Sequence, residues 1–143
     1  MTTALDRPAP TDVRPHEFRW VFIPVEAVVA LGGLSGTWQL WTGTYAPPVS
    51  DLEPLGLESW KLPAVWLFCS VALPSTVALV AAVRRHPRTP EVVLAASGLM
   101  LVEVTVQIPF VGPSALQAVF GGIAIGMGAL AVAAMRRRSW RRG

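Results

Sequence analysis

Residues 62–83 read LPAVWLFCSVALPSTVALVAAV and contain no charged side chain. As a helix with a rise of about 1.5 Å per residue, this stretch is about 33 Å long. The hydrocarbon core of a bilayer is about 30 Å thick. The stretch is therefore long and apolar enough to cross a membrane, and it predicts a membrane protein.

Three further stretches have a similar length and apolar character, at residues 20–41, 92–111 and 114–135. Gly112-Pro113 separates the last two and is typical of a turn that breaks a helix. One unbroken helix over both stretches would be about 66 Å long, which exceeds any bilayer. The sequence thus predicts an all-α polytopic membrane protein, an antiparallel bundle of four transmembrane helices.

The low charge of the chain agrees with this class of protein. Of its 143 residues, 52% are hydrophobic and only 15% are charged, whereas a soluble domain has about 25% charged residues. This balance excludes a disordered chain, a coiled coil and a nucleic-acid-coating protein. The predicted organisation is a disordered tail (1–19), a transmembrane domain (20–135) with an outer loop (42–61), and a basic tail (136–143).

The distribution of arginine predicts the orientation of the bundle. All eleven arginines lie in the two tails and in the connection at residues 84–90, whereas the outer loop carries three acids and the single lysine, Lys61. Cytoplasmic segments of membrane proteins are enriched in Lys and Arg. We therefore expect a multi-pass protein of the plasma membrane with both termini in the cytoplasm.

The basic C-terminal segment contains Arg136, Arg137, Arg138 and Trp140. A basic segment with an aromatic residue can bind nucleic acid. Directly after a span, however, it is typical of a stop signal that contacts anionic headgroups, with about 1 kcal/mol from each Arg. We therefore expect these four residues to anchor the chain to the lipid bilayer, and we expect no nucleic-acid partner.

The sequence contains no motif for a metal or a cofactor. Cys69 is the only cysteine, and His16 and His86 have no partner at metal-ligand spacing. Phosphate-binding loops, dinucleotide fingerprints, zinc-protease motifs and nucleophile elbows are absent from the sequence. We therefore expect neither a metal nor a cofactor and assign no catalytic residue, which favours a protein that is not an enzyme.

Two acidic side chains, Glu26 and Glu103, lie inside predicted spans. An ionisable group at mid-depth costs of order 3 kcal/mol and usually faces the interior of a bundle. Glu26 lies about 9 Å and Glu103 about 17 Å from the inner ends of two helices that both run outward, so we expect no close pair. The deeper residue, Glu103, is the strongest candidate for a functional side chain.

Three glutamines, Gln39, Gln107 and Gln117, lie at similar depth in the outer half of the bundle. Gln107 shares a helix face with Glu103 because the two are four residues apart. These four side chains are candidates for a small polar pocket below the outer loop. Two interpretations remain open: a ligand or proton site that includes Glu26, and interhelical hydrogen bonds of about 0.6 kcal/mol each that only hold the helices together.

Small residues form two further motifs, Gly32-x-x-x-Gly36 in the first span and Gly122-x-x-x-Gly126 in the fourth. This spacing allows two helices to approach closely. One interpretation is that the first and fourth helices pack together within the chain. The alternative is a seam for a homodimer or a larger membrane complex.

The segments DLEPLGLESW (51–60) and VEVTVQIPFVGPSALQAVFG (102–121) resemble those of small four-helix integral membrane proteins of actinobacteria. The resemblance covers residues 20–135, implies a four-helix bundle of unassigned function and brings no site residue with it. In architecture alone, the chain is also similar to DoxX-like proteins.

A second resemblance is to small multidrug resistance transporters, which have a membrane glutamate in the first of four spans and a glycine seam in the fourth. Glu26 and the Gly122/Gly126 pair occupy the corresponding spans, but the long outer loop and Glu103 have no counterpart there. The sequence therefore favours a non-enzymatic structural, accessory or small-ligand-binding bundle. A small-molecule or proton-coupled transporter that uses Glu103 and Glu26 is the alternative.

Overall fold

The computed structural model describes residues 18–140, in which four helices are long and apolar enough to cross a membrane. We number these helices α1 (Arg19–Thr42), α2 (Lys61–Val83), α3 (Thr89–Val111) and α4 (Ala115–Trp140). No β-strand occurs within this range. The predicted all-α, four-helix membrane bundle is confirmed.

The helices begin and end close to the predicted positions, except at the start of α3 and at the end of α4. α3 begins at Thr89 rather than at residue 92, because Pro90 is tolerated in a first helical turn. α4 continues through the arginines to Trp140, since Arg is a good helix former and cations are favourable in a last turn. Residues 1–17, most of the predicted disordered tail, lie outside the described residues.

The connections place the chain's polar segments at two opposite ends of the bundle. The loop end contains residues 43–60, with a short 3₁₀ helix (Val49–Leu55), and the turn at Gly112, whose φ is +76°. The opposite end contains the arginines at 19, 84, 85, 88 and 136–138, and we call it the arginine-rich end. The loop is anchored, because Leu52 is only 1% exposed and the indole N–H of Trp60 donates to the carbonyl of Pro47 at 2.8 Å.

The core lies between the helices in two clusters. α1 packs on α2, α2 on α3, and α3 on α4. Near the arginine-rich end the buried cluster includes Phe22 and Met127, and nearer the loop end it includes Val29 and Met100. Large apolar side chains such as Leu31 cover the outer faces, as expected where a helix surface meets lipid.

α2 contains a π-helical segment, Phe68–Ala72, just before Pro74. The N–H of Leu73 donates to the carbonyl of Phe68, five residues earlier, instead of four. Pro74 has no N–H to continue the ordinary α-helical ladder, and a wider turn is a common adjustment in such helices. The wide turn rotates the two parts of α2 relative to each other, so that Ser70 and Ser75 are both buried.

Candidate intramembrane polar site

Glu103 lies in α3 and is only 5% exposed. Its Oε2 atom is 2.9 Å from the hydroxyl oxygen of Ser70 on α2. Its Oε1 atom accepts a hydrogen bond from the Nε2 amide of Gln107, one turn further along α3, at 2.8 Å. Both carboxyl oxygens therefore have a partner within the bundle.

The Ser70 hydroxyl is also 2.8 Å from the carbonyl oxygen of Trp66, one turn earlier in α2. The hydroxyl therefore lies between a backbone carbonyl of its own helix and a carboxyl oxygen of α3.

Glu26 lies in α1 and is only 3% exposed. Its side chain is hydrogen-bonded to Ser75 of α2, which is itself buried. The two intramembrane glutamates thus come from different helices, yet both reach a serine of α2. Ser70 and Ser75 are five residues apart, which is about 7.5 Å along a helix, so the two carboxyls occupy separate sites at different depths.

The predicted four-residue pocket does not form as expected, because Gln39 and Gln117 bond within their own helices. The Nε2 amide of Gln39 donates to the hydroxyl of Ser35 at 3.3 Å. The Oε1 atom of Gln117 accepts from the backbone N–H of Ser114 at 2.9 Å, and the Ser114 hydroxyl accepts from the N–H of Gln117. The second pair forms a cap at the start of α4. Of the predicted group, only Gln107 contacts Glu103.

The two serines that bind the glutamates were not predicted as site residues. Ser70 and Ser75 flank Pro74 in the sequence. Their spacing of five residues does not match an α-helical face. The π segment includes Ser70 and ends before Ser75, and a proline next to serines was the one available signal.

The glycine motifs have a different packing role from the predicted one. A Cβ atom on Gly36 would lie 3.0 Å from the side chain of Leu67 in α2, and one on Gly32 would lie 3.7 Å from the ring of Phe120. Gly122 and Gly126 have nothing within 4 Å of that position. Gly32 therefore faces α4 through the Phe120 ring, whereas Gly122 and Gly126 make no close contact with α1.

The closest helix contact occurs at Gly33, which the sequence analysis did not select. A Cβ atom there would lie 3.0 Å from the backbone N and Cα atoms of Ala72, inside the π segment. α1 thus approaches α2 at the level between the two buried serines. On either side of this contact, Ser70 is bonded to α3 and Ser75 to α1.

The predicted headgroup anchors also contact the protein. Arg138 forms a partly exposed ion pair with Glu91 at 3.4 Å, and the Arg137 guanidinium lies 5.4 Å from the ring centre of Phe18. Arg136 lines a groove between α3 and α4. The side chain of Trp140 lies outside the described residues.

Within residues 18–140, no three His, Cys, Asp or Glu side chains lie close enough together to hold a metal ion. The expectation that the protein has no metal or cofactor stays a prediction. Comparisons with known proteins identify no relative: no family model matches the chain, and neither the curated proteins nor the solved structures contain a significant match.

Proposed function

We propose that this protein is a non-enzymatic integral membrane protein that acts as a structural or accessory bundle in the plasma membrane. One observation carries the proposal: each of the two intramembrane glutamates is hydrogen-bonded to a buried serine of α2. The carboxyls therefore hold α1 and α3 against the middle helix. Side chains whose hydrogen bonds are already used inside the bundle are typical of structural polar contacts.

The proposal includes the orientation with both termini in the cytoplasm. Its support is the concentration of arginine at one end of the bundle and of acidic side chains in the 43–60 loop at the other. The partners in this proposal are anionic lipid headgroups and a second copy or another membrane protein. The open face of α4 at Gly122 and Gly126 is where a neighbouring helix can approach closely. The resemblance to four-helix actinobacterial membrane proteins is part of this proposal.

A second candidate function is proton-coupled or small-molecule transport. The observation that favours it is the π segment, which lies beside Pro74 at the level of the two carboxyls. π segments inside α-helices are frequent at functional sites. A shift of Phe68–Ala72 to ordinary α-helix would move Ser70 relative to Glu103 and release the carboxyl.

The Glu26→Gln and Glu103→Gln variants distinguish the two functions. Proteoliposomes with a trapped pH-sensitive dye would report proton flux under an imposed pH gradient. Cells would be tested in parallel for growth in the presence of cationic dyes. Glu53→Gln, in the exposed 3₁₀ helix, is the matched control.

The structural proposal predicts that the wild type and all three variants give the same flux as empty liposomes and the same growth. Proton flux in the wild type that Glu103→Gln or Glu26→Gln abolishes, with the folded protein still present by circular dichroism, would establish the transporter instead.

A further inference from the structure

A groove of about 490 Å³ runs along the outer surface between α3 and α4, away from the two glutamates. Leu94 and Leu101 line it on the α3 side, and small residues, among them Gly128 and Ala129, line it on the α4 side. Arg136 stands at the end of the groove that lies toward the arginine-rich end. The volume is within the range of about 300–1,000 Å³ that is typical of small-molecule sites.

Ser97 gives this groove a polar atom that has no partner. The residue is 4% exposed, and its hydroxyl is the one buried side-chain N or O atom in the described part of the chain without a hydrogen bond. Several serines and threonines in the helices bond a backbone carbonyl four residues earlier, as Ser70 and Thr105 do. Ser97 does not, although an unmade hydrogen bond of a buried hydroxyl costs free energy.

The position of Ser97 relative to Arg136 follows from the packing of α3 on α4. The Cβ position of Gly128 is 3.7 Å from the Cβ of Ser97, so the two residues lie at the same level. Arg136 is eight residues further along α4, which corresponds to about 12 Å. Helical side chains point toward the N-terminus of their helix, so the side chain of Arg136 leaves α4 in the direction of Ser97.

We propose that this groove binds one anionic glycerophospholipid. Its acyl chain lies along the apolar walls, an ester oxygen accepts the hydrogen bond of Ser97, and the phosphate pairs with Arg136. Charge favours this occupant over a second copy of the chain. Two parallel copies that met through this groove would bring their Arg136–Arg138 segments together, and like charges repel, whereas a phosphate is attracted.

Native mass spectrometry of the purified full-length chain in detergent tests the proposal. The protein is titrated with dioleoyl phosphatidylglycerol or with dioleoyl phosphatidylcholine, which has the same acyl chains. We expect one phosphatidylglycerol per chain to be retained in preference to phosphatidylcholine. Arg136→Gln should weaken that binding about fivefold, the effect of one basic residue near an anionic surface, and Ser97→Ala about threefold.

Filling the groove provides the second arm of the experiment. Ala129→Phe places a ring in the groove from α4, and Ala118→Phe places the same ring on an exposed face of α4 outside it. We expect the first variant to lose the bound phosphatidylglycerol and the second to keep it. Gly98→Leu fills the groove from α3, where a Cβ atom meets nothing within 4 Å, and replaces Ala129→Phe if that variant does not fold.

Two results would overturn the proposal. Equal retention of the two lipids, or full retention by a folded groove-filled variant, would show contact with lipid at no particular site. A dimer without bound lipid that Ala129→Phe converts to a monomer would identify a second copy as the occupant.

Discussion

Glu103 is buried at mid-membrane, where an ionised carboxylate is costly. The structure surrounds it with Ser70 and Gln107, each within 3 Å of a carboxyl oxygen. The Ser70 hydroxyl also contacts the Trp66 carbonyl, so the group joins α3 to the backbone of α2. A testable consequence follows at the level of this residue.

The hydrogen bonds of Glu103 should stabilise the folded bundle. We expect Glu103→Ala to lower the free energy of unfolding by about 1–3 kcal/mol, because Ser70 and Gln107 lose their shared partner in a buried site. Glu103→Gln should cost less than about 1 kcal/mol, since an amide can donate to Ser70 and accept from Gln107. Unfolding with a denaturing detergent in mixed micelles measures both, with Glu53→Ala as an exposed control. Equal losses for the two variants would contradict this role.

At the scale of the helix, α2 is the element that organises the bundle. It offers Ser70 to α3 and Ser75 to α1, and its π segment receives the close approach of Gly33. The wide turn lies just before Pro74. Ser70 within this turn and Ser75 after it bond different neighbouring helices.

Gly33→Ala tests the close approach of α1 to α2. The added methyl group would lie 3.0 Å from backbone atoms of Ala72, which cannot move as a side chain can. We expect a loss of about 1–3 kcal/mol in the free energy of unfolding, as for other overpacked sites. Gly122→Ala is the matched control, because its methyl group meets nothing within 4 Å and Ala is the better helix former. A Gly33→Ala variant as stable as Gly122→Ala would show that α1 and α2 can move apart with no loss in the free energy of unfolding.

At the scale of the whole molecule, the bundle has two chemically different ends. At the arginine-rich end Arg19 donates to the carbonyl of Ala82 at 3.0 Å, which joins the start of α1 to the end of α2. At the loop end the 3₁₀ helix contacts α3 and buries Leu52. A charged side chain thus joins two helices at one end of the bundle, and a buried leucine holds the loop at the other.

Labelling of single-cysteine variants measures the orientation of the bundle in the membrane. Cys69 is replaced by serine, and Ser50→Cys or His86→Cys is introduced at exposed positions of opposite ends. With both termini in the cytoplasm, a membrane-impermeant maleimide should label Ser50→Cys in intact cells and His86→Cys only after permeabilisation, because the reagent does not cross the bilayer. The reverse pattern would place the arginine-rich end outside and contradict the positive-inside interpretation.

The polar site was only partly predictable from the sequence. Depth along a helix follows from the number of residues, so the sequence could predict that Glu26 and Glu103 lie at different depths. The facing direction of each side chain was not, since these helices are apolar on most of their surface and no stripe marks the interior. Gln39 and Gln117 were expected to share the pocket on the assumption of a common face, but Gln39 bonds Ser35 of its own helix and Gln117 bonds Ser114 just before α4.

The sequence by itself determined the number of spans and, to within a few residues, their ends, because length, hydropathy and helix-breaking residues act locally along the chain. Only the tertiary structure decided which polar groups meet. The partnership of Glu103 with Ser70 depends on the rotation of α2 about its axis. Which face of α2 meets its neighbours follows from the packing of whole helices, as at the contact of Gly33 with Ala72, and such contacts join residues that lie far apart in the sequence.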